Sequence, residues 1–453
     1  MKSIMIKNGY VFTADENRKE IKDCDIYIEG PEIKKVGKNI NDKADYVIDA
    51  KNCVVIPGLV NTHHHLYQTL TRNIPAVQDA KLFDWLCYLY EIWRNMDEDW
   101  VSASTKVGLG ELLLTGCTTS SDHLYLFPQK SSPYLVDVEV ESAKEIGMRF
   151  VATRGSMSKG KKDGGLPPDD VIQDEETIME DCERVVKKYH SSEKFSMINI
   201  ALAPCSPFSV TTELLKTTAV MAKKWGVRMH THLAETMDEE EYCLNAYKMR
   251  PFDYMESAGW IENGNSWFAH CVYLSEDDAV KMAKTKTGVS HCPSSNLRLG
   301  SGIAPIRMFL NKNVPVSIGV DGSASNDMSN AIMEARMAML VSRVKDSVTS
   351  MPARDALYLA TKGGAKVLGR NDIGEISPGK AADIAIFDIS GVEYAGSDYD
   401  PLASLLFCGI SHKTKYTIVN GKIVVKEGHL TTLDERDIRN DANRVVKKIS
   451  EKL

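Results

Sequence analysis

Between residues 52 and 321 the chain alternates short apolar, β-branched runs with longer stretches whose apolar positions recur at helical spacing. Eight short runs read as strands: 52–63 (NCVVIPGLVNTH), 117–123 (CTTSSDH), 149–155 (RFVATRG), 198–204 (INIALAP), 227–233 (VRMHTHL), 266–272 (SWFAHCV), 288–293 (GVSHCP) and 315–321 (PVSIGVD). Eight strand–helix units in one chain predict an α/β fold, a closed (β/α)8 TIM barrel and not an open doubly wound sheet. The gap between the first two strands is long, and 156–172 (SMSKGKKDGGLPPDDVI) is rich in Gly, Pro and charge without periodicity. Both read as extended loops over the barrel mouth, where such folds place their active sites.

The two ends have a different pattern. Residues 1–57 read as short strands broken by Gly, Asn, Asp and Pro, and 372–453 repeat that style in GEISPGKAADIAIFDI and KYTIVNGKIVVKEGHL. Asn420-Gly421 predicts a tight type I′ hairpin turn. The charged segment from roughly 432 to 453 reads as a helix. We therefore expect 1–57 and 372–453 to pair as one discontinuous β domain beside a barrel domain spanning 58–371.

Composition narrows the function classes. A 453-residue chain with 43% hydrophobic residues can bury a large core. Its formal charge of −7 is spread without long basic blocks, which argues against a nucleic-acid partner. No window approaches the roughly eighteen apolar residues of a membrane span, and MKSIMIKNGYVFTADENRK lacks the pattern of a secretory signal. Ten cysteines without a C-x-x-C fit reduced thiols, so a cytoplasmic location is expected. GEISPGK (374–380) nearly matches a phosphate loop, but Ala381 replaces the required Ser/Thr, and it reads as a turn. The H-x-E and P-C-x-x-C signature of cytidine-type zinc deaminases is absent.

The candidate chemistry lies at the strand ends. In an extended segment residues i and i+2 share a face, so His63 and His65 of the run VNTHHH can converge while His64 points away. The fifth strand supplies His230 and His232, followed by Glu235; His270 and His291 lie near the ends of the sixth and seventh, and Asp321 ends the eighth. Barrel closure brings these ends around one mouth. Imidazoles and one carboxylate without a thiolate pair predict a single zinc or similar divalent ion, and iron fits the same ligands.

PGLVNTHHH, HTHLAE, AHC and GVDGSASN resemble the metal-binding motifs of the amidohydrolase superfamily, in the mononuclear-metal branch that holds guanine, cytosine and adenosine-type deaminases and triazine hydrolases. The resemblance covers almost the whole chain and implies that the β-rich ends form a composite sandwich. It implies that His63, His65, His232 and Asp321 ligate one divalent metal, with Glu235 as proton shuttle and His270 on the metal-bound water or substrate. Strand four ends ALAPCSPF without a lysine, consistent with one metal. A divalent ion lowers the pKa of bound water from 15.7 to about 7, which makes hydroxide available as the nucleophile. Glu235 then moves its proton to a ring nitrogen, and Asp321 helps deliver the second to the departing amine. By analogy the branch also implies a homodimer.

HHHLYQTLTR, LFDWLCYLYEIW, GCTTSSDHLYLFP, TRGSMS with DGGLPPDDVIQDEETI, and LAPCSPFSVT closely resemble 8-oxoguanine deaminases, which convert 8-oxoguanine and water to uric acid and ammonia. The alternatives are another aminated heterocycle (guanine, isoguanine, a pterin, or a hydroxytriazine such as hydroxyatrazine) or a catalytically silent barrel subunit. A flat purine needs an apolar slot with a few fixed polar groups. Candidates for its wall are Gln68, Trp85, Arg154, Cys205, Ser206 and His291. Trp85 fits a helix's core face equally well, Cys205 fits a packed thiol, and Arg154 fits a salt bridge to a loop.

Overall fold

The computed structural model describes residues 2–262, 264–409 and 413–451. Eight parallel strands close into a barrel: β1 (Leu59–Asn61), β2 (Cys117–Ser121), β3 (Arg149–Ser156), β4 (Ile198–Pro204), β5 (Arg228–Leu233), β6 (Ser266–His270), β7 (Gly288–His291) and β8 (Val316–Ile318). Closure is made by Ile318 of β8 pairing with Asn61 of β1. Each strand is followed by helical structure, so the strand C-termini share one end, as the alternating pattern predicts.

The first predicted strand divides in two. Cys53–Pro57 pairs with Ile384–Asp388 in a separate sheet, and only Leu59–Asn61 enters the barrel. The break falls at Pro57-Gly58, where Pro lacks an N–H for the ladder and a Cβ on Gly58 would lie 2.1 Å from Thr118 Oγ1. The chain therefore crosses between domains where no side chain fits.

The separate sheet has nine strands drawn from both chain ends, with Cys53–Pro57 central between Ile384–Asp388 and Ser3–Phe12. Its inner face buries Ile4, Ile6, Ile26, Val55, Ile384 and Ile418 in one cluster. At the predicted hairpin, Asn420 and Gly421 have φ of 51° and 75°, the two left-handed residues of a type I′ turn. Gly421 is obligatory, because a Cβ there would stand 1.8 Å from the Gly30 carbonyl oxygen.

Two features tie the sheet and the terminal helix to the barrel. Buried Arg149 of β3 pairs with buried Asp383 through Nε and Nη2 at 2.8 and 3.0 Å. The C-terminal helix Glu435–Ser450 follows an Asp434 cap and places Ala442, Val445 and Ile449 in the same hydrophobic cluster as the barrel core. The long excursion between β1 and β2 contains the helices Leu82–Trp93 and Glu98–Leu114, and the first of these roofs the barrel mouth. No described helix is long and apolar enough to cross a membrane.

Candidate metal centre and active site

The rings of His63, His65, His123, His230, His232 and His270 crowd the C-terminal end of the barrel, and their hydrogen bonds fix where each proton sits. His65 Nδ1 lies 2.8 Å from the carbonyl oxygen of His123, and His232 Nδ1 lies 2.6 Å from that of Cys205. A carbonyl only accepts, so both rings donate from Nδ1 and carry a lone pair on Nε2. Those Nε2 atoms face each other at 3.0 Å. Two acceptors cannot bond one another, so this contact calls for a cation between or beside them.

His63 reaches the same point through a relay. His230 Nδ1 donates to the Trp267 carbonyl at 2.9 Å, with its ring stacked on that indole at 4.4 Å. Its Nε2 therefore accepts from His63 Nδ1 at 2.7 Å. This leaves His63 Nε2 buried, without a hydrogen-bond partner, and 3.3 Å from Asp321 Oδ1. His65 Nε2 is 3.4 Å from the same oxygen. Burial lowers the pKa of His63 and His65, and brings that of His232 down to about 3, which keeps these rings in the neutral, ligating form. Three neutral imidazole donors and one carboxylate fit a divalent ion of the zinc class. His123 was not among the expected site residues, although it closes the CTTSSDH run. Its Nε2 bonds the Ala203 carbonyl at 2.8 Å, its Nδ1 has no partner, and it stands with His63, His65 and His232 in a group whose ligand atoms lie within 4.8 Å of one another.

Glu235 and His270 sit beside this group. Glu235 is held by Ser301 Oγ at 3.2 Å, and His270 Nδ1 lies 2.8 Å from Asn296 Oδ1. Burial raises the Glu235 carboxyl above its ordinary value. Burial pushes His270 down, but Glu235 and Asp321 outweigh it and raise its pKa. Glu239 caps the turn beneath them, accepting the backbone N–H groups of Ala234 and Glu235 at 2.9 and 3.0 Å. Ala234, His270 and Asp321 leave their strands in left-handed conformations, with φ of 52°, 71° and 63°, an uncommon state that here turns the chain at the rim of the site.

Above these groups lies a narrow cavity whose empty space, open mouth included, comes to about 480 Å3. Leu82, Trp85, Leu86, Tyr90, Tyr125, Phe208 and Leu299 form its apolar walls, and Gln68, Cys205 and Ser325 its polar ones, with His65, His232, Glu235, Glu239, His270 and Asp321 at the base. Gln68 Oε1, Trp85 Nε1 and Tyr90 Oη are buried without hydrogen-bond partners. Gly322 makes room for Gln68, since a Cβ there would be 1.9 Å from Gln68 Oε1. Burial pushes the Cys205 thiol up to about 12, so it serves as neutral wall.

Three expected contacts lie outside this wall. Arg154 points outward to Asp181 and Gln173, with its guanidinium 3.8 Å from the Phe127 ring centroid. Its acid lies on the helix Glu175–Tyr189 and not on a loop. Ser206 is taken up by Ser209 Oγ at 2.7 Å. His291 is buried with both ring nitrogens unpartnered, and burial holds its pKa at about 3. His64 faces the other way from its neighbours, bonding Ser329 Oγ at 2.9 Å. The segment 156–172 contributes no residue to the cavity wall. It is fastened by the Arg94–Asp170 pair at 2.8 Å.

Comparison with known proteins places these features in context. The model of the amidohydrolase family matches residues 54–424. An 8-oxoguanine deaminase of Pseudomonas aeruginosa is 46% identical over 386 residues, covering 85% of this chain and 85% of that protein. A hydroxydechloroatrazine ethylaminohydrolase of Pseudomonas sp. strain ADP is 33% identical, covering 95% and 90%. The crystal structure of an atrazine chlorohydrolase from Arthrobacter aurescens TC1 complexed with zinc superposes with a TM-score of 0.93 at 32% identity, covering 98% of this chain and all of that one.

Proposed function

We propose, from the premise that this chain belongs to the amidohydrolase family, that it is a metal-dependent hydrolytic deaminase of an aminated purine and that its substrate is 8-oxoguanine, converted with water to uric acid and ammonia. The observation that carries the reading is the set of Nε2 lone pairs of His63, His65 and His232, converging with Asp321 beside buried Glu235 at the base of an aromatic slot. The choice of purine draws on the 46% identity to an 8-oxoguanine deaminase.

His63, His65, His232 and Asp321 would hold one divalent ion, zinc in our assignment, which when bound would supply the Lewis acidity that brings the pKa of a water to about 7. The protein does the rest. Leu82, Trp85, Leu86 and Tyr90 press a flat heterocycle into one plane, while Gln68, Trp85 Nε1 and Tyr90 Oη offer it hydrogen bonds. Glu235, its carboxyl raised by burial, takes a proton from the attacking water and gives it to a ring nitrogen, which makes the amidine carbon electrophilic. Asp321 accepts the second proton and passes it to the exocyclic amine, with His270 holding the oxygen that adds. The C–N bond breaks, ammonia leaves, and a carbonyl remains.

Ammonia release from a panel of aminated purines, pterins and hydroxytriazines tests the proposal. Turnover of 8-oxoguanine well above that of guanine and hydroxytriazines is expected. No ammonia from 8-oxoguanine would remove the substrate assignment; release from another member of the panel would replace it.

A further inference from the structure

The opposite end of the barrel holds a second cavity, which the catalytic reading leaves unused. It lies at the N-terminal ends of β4 and β5, between the segment 190–196 and the segment 368–372, and encloses about 910 Å3 of empty space including its mouth. Arg228, the first residue of β5, forms part of its wall.

That arginine differs from the paired arginines of the barrel and its N-terminal rim. Arg149, Arg154 and Arg370 each pair with a carboxylate, in Asp383, Asp181 and Asp372. Arg228 has no ion pair among the described residues. Its Nη1 donates to the Gly264 carbonyl at 2.8 Å, while its Nε is buried without an acceptor. Nε and Nη2 together form the side-on fork that takes two oxygens of one anion, and that edge is the one left unused. Burial without a neighbouring acid lowers its pKa to about 10, so the guanidinium is still charged at neutral pH.

The wall also carries Lys194 and Arg370 against the carboxylates of Glu193 and Asp372. His190 Nδ1 accepts the Ile200 backbone N–H at 3.1 Å, which places the ring proton on Nε2 as a donor. The carboxylate of Asp372 in the wall is already held by Arg370 through Nε and Nη2, both at 2.8 Å. Gly369, at φ 69°, closes over Arg228, and a Cβ there would stand 2.9 Å from Nη1. The backbone of Gly369 thus packs against the guanidinium of Arg228, a residue of the cavity wall.

We propose that this cavity is a binding site for a small oxyanion of the phosphate or carboxylate class, taken by the Nε/Nη2 fork of Arg228 with His190 as a second donor. It is separate from the catalytic mouth and independent of which heterocycle is turned over.

The test titrates the metal-loaded full chain with inorganic phosphate and, separately, acetate, by calorimetry at constant ionic strength held with chloride. Saturable binding of at least one of them is expected, weakened at least tenfold in Arg228→Met and severalfold in Arg228→Lys, which keeps charge but loses the fork. A purely structural arginine would be destabilised by Arg228→Met without any anion effect. If the site is real, the anion instead raises the melting temperature of the wild type and leaves that of the variant unmoved. Should Arg228→Met not fold, Arg228→Lys decides alone. Absence of binding to the wild type, or equal affinity in the variants as expected of an anion taken at the metal centre, overturns the proposal.

Discussion

Glu235 Oε2 lies 3.5 Å from His270 Nε2, and both side chains are anchored from behind, Glu235 by Ser301 and His270 by Asn296. The pair faces Asp321 Oδ2, which lies 3.9 Å from His270 Nε2 and accepts from Ser325 Oγ at 3.5 Å. A carboxyl placed there can carry a proton between water and substrate without leaving its hydrogen bond to Ser301. Glu235→Gln keeps the shape and removes the titrating group. Turnover should fall by about 10²- to 10⁴-fold, the usual contribution of a general acid–base, with metal content unchanged by elemental analysis. Retained turnover would exclude Glu235 as the shuttle.

His230 is expected to act on the metal through His63. It accepts from His63 Nδ1, is itself locked by the Trp267 carbonyl, and so aims His63 Nε2 at the centre. Such supporting partners are typically worth 10- to 100-fold in metal affinity. His230→Ala should weaken the metal by about that factor in competition with a chelating dye, whereas His232→Ala should leave well below one equivalent bound. Equal losses in the two variants would mean that His230 is itself a ligand.

These two roles mark how far the sequence could be read. Ligand-type residues were legible because they fall at the ends of recognisable strands, where an alternation of two puts His63 and His65 on one side. The same rule could not separate the roles of His230 and His232, which share a face. Arg154 misled for a related reason: all of Arg149–Ser156 is buried, so inward and outward residues have no contrast in polarity. The left-handed turns at His270 and Asp321 leave no trace in composition, whereas the division of the first strand falls at the legible dipeptide Pro57-Gly58; there only the approach of Thr118 from a different strand is not carried by the local sequence.

Arg149 and Asp383 should form a strongly coupled pair across the two domains. Both side chains are essentially without solvent contact, and Arg149 also donates to the Phe195 and Ser196 carbonyls. Removing one partner of a buried pair leaves the other charge uncompensated, at about 3–5 kcal/mol. Arg149→Met and Asp383→Asn should each lower the stability measured by chemical denaturation by about that amount. The double variant should cost less than the sum of the two; additivity would show that they do not act as a pair.

Trp85 combines an apolar wall with a buried indole N–H that has no acceptor in the protein. A donor left in that state is suited to a ligand oxygen or nitrogen. Trp85→Phe keeps an aromatic ring and removes the N–H, so kcat/KM should fall by about 10-fold, in line with roughly 1–1.5 kcal/mol for one hydrogen bond. An unchanged kcat/KM would assign Trp85 to packing alone.

Acid sensitivity should come from carboxylates far from the metal. Burial pushes Asp137 up, but Arg184, Lys188 and Tyr189 outweigh it and hold it at about 2; Asp372 is held at about 2 against burial by Arg370 and the Phe195 N–H. Both lie below the ordinary aspartate value of about 3.9, so the unfolded chain binds protons first and the stabilisation is complete only above that value. It is lost as pH falls from about 4 towards 2. Glu334 has the opposite sign: burial raises it to about 7 despite its bonds from Ser294 and Asn326, so its contribution is complete below about 4.5 and is lost as pH rises through 7. Denaturant unfolding of wild type and Asp137→Asn should therefore differ at pH 6 and converge towards pH 2, while Glu334→Gln should flatten the decline between pH 5 and 8. A wild type to Asp137→Asn difference that is constant from pH 6 to 2 would show that this carboxylate titrates alike in both states.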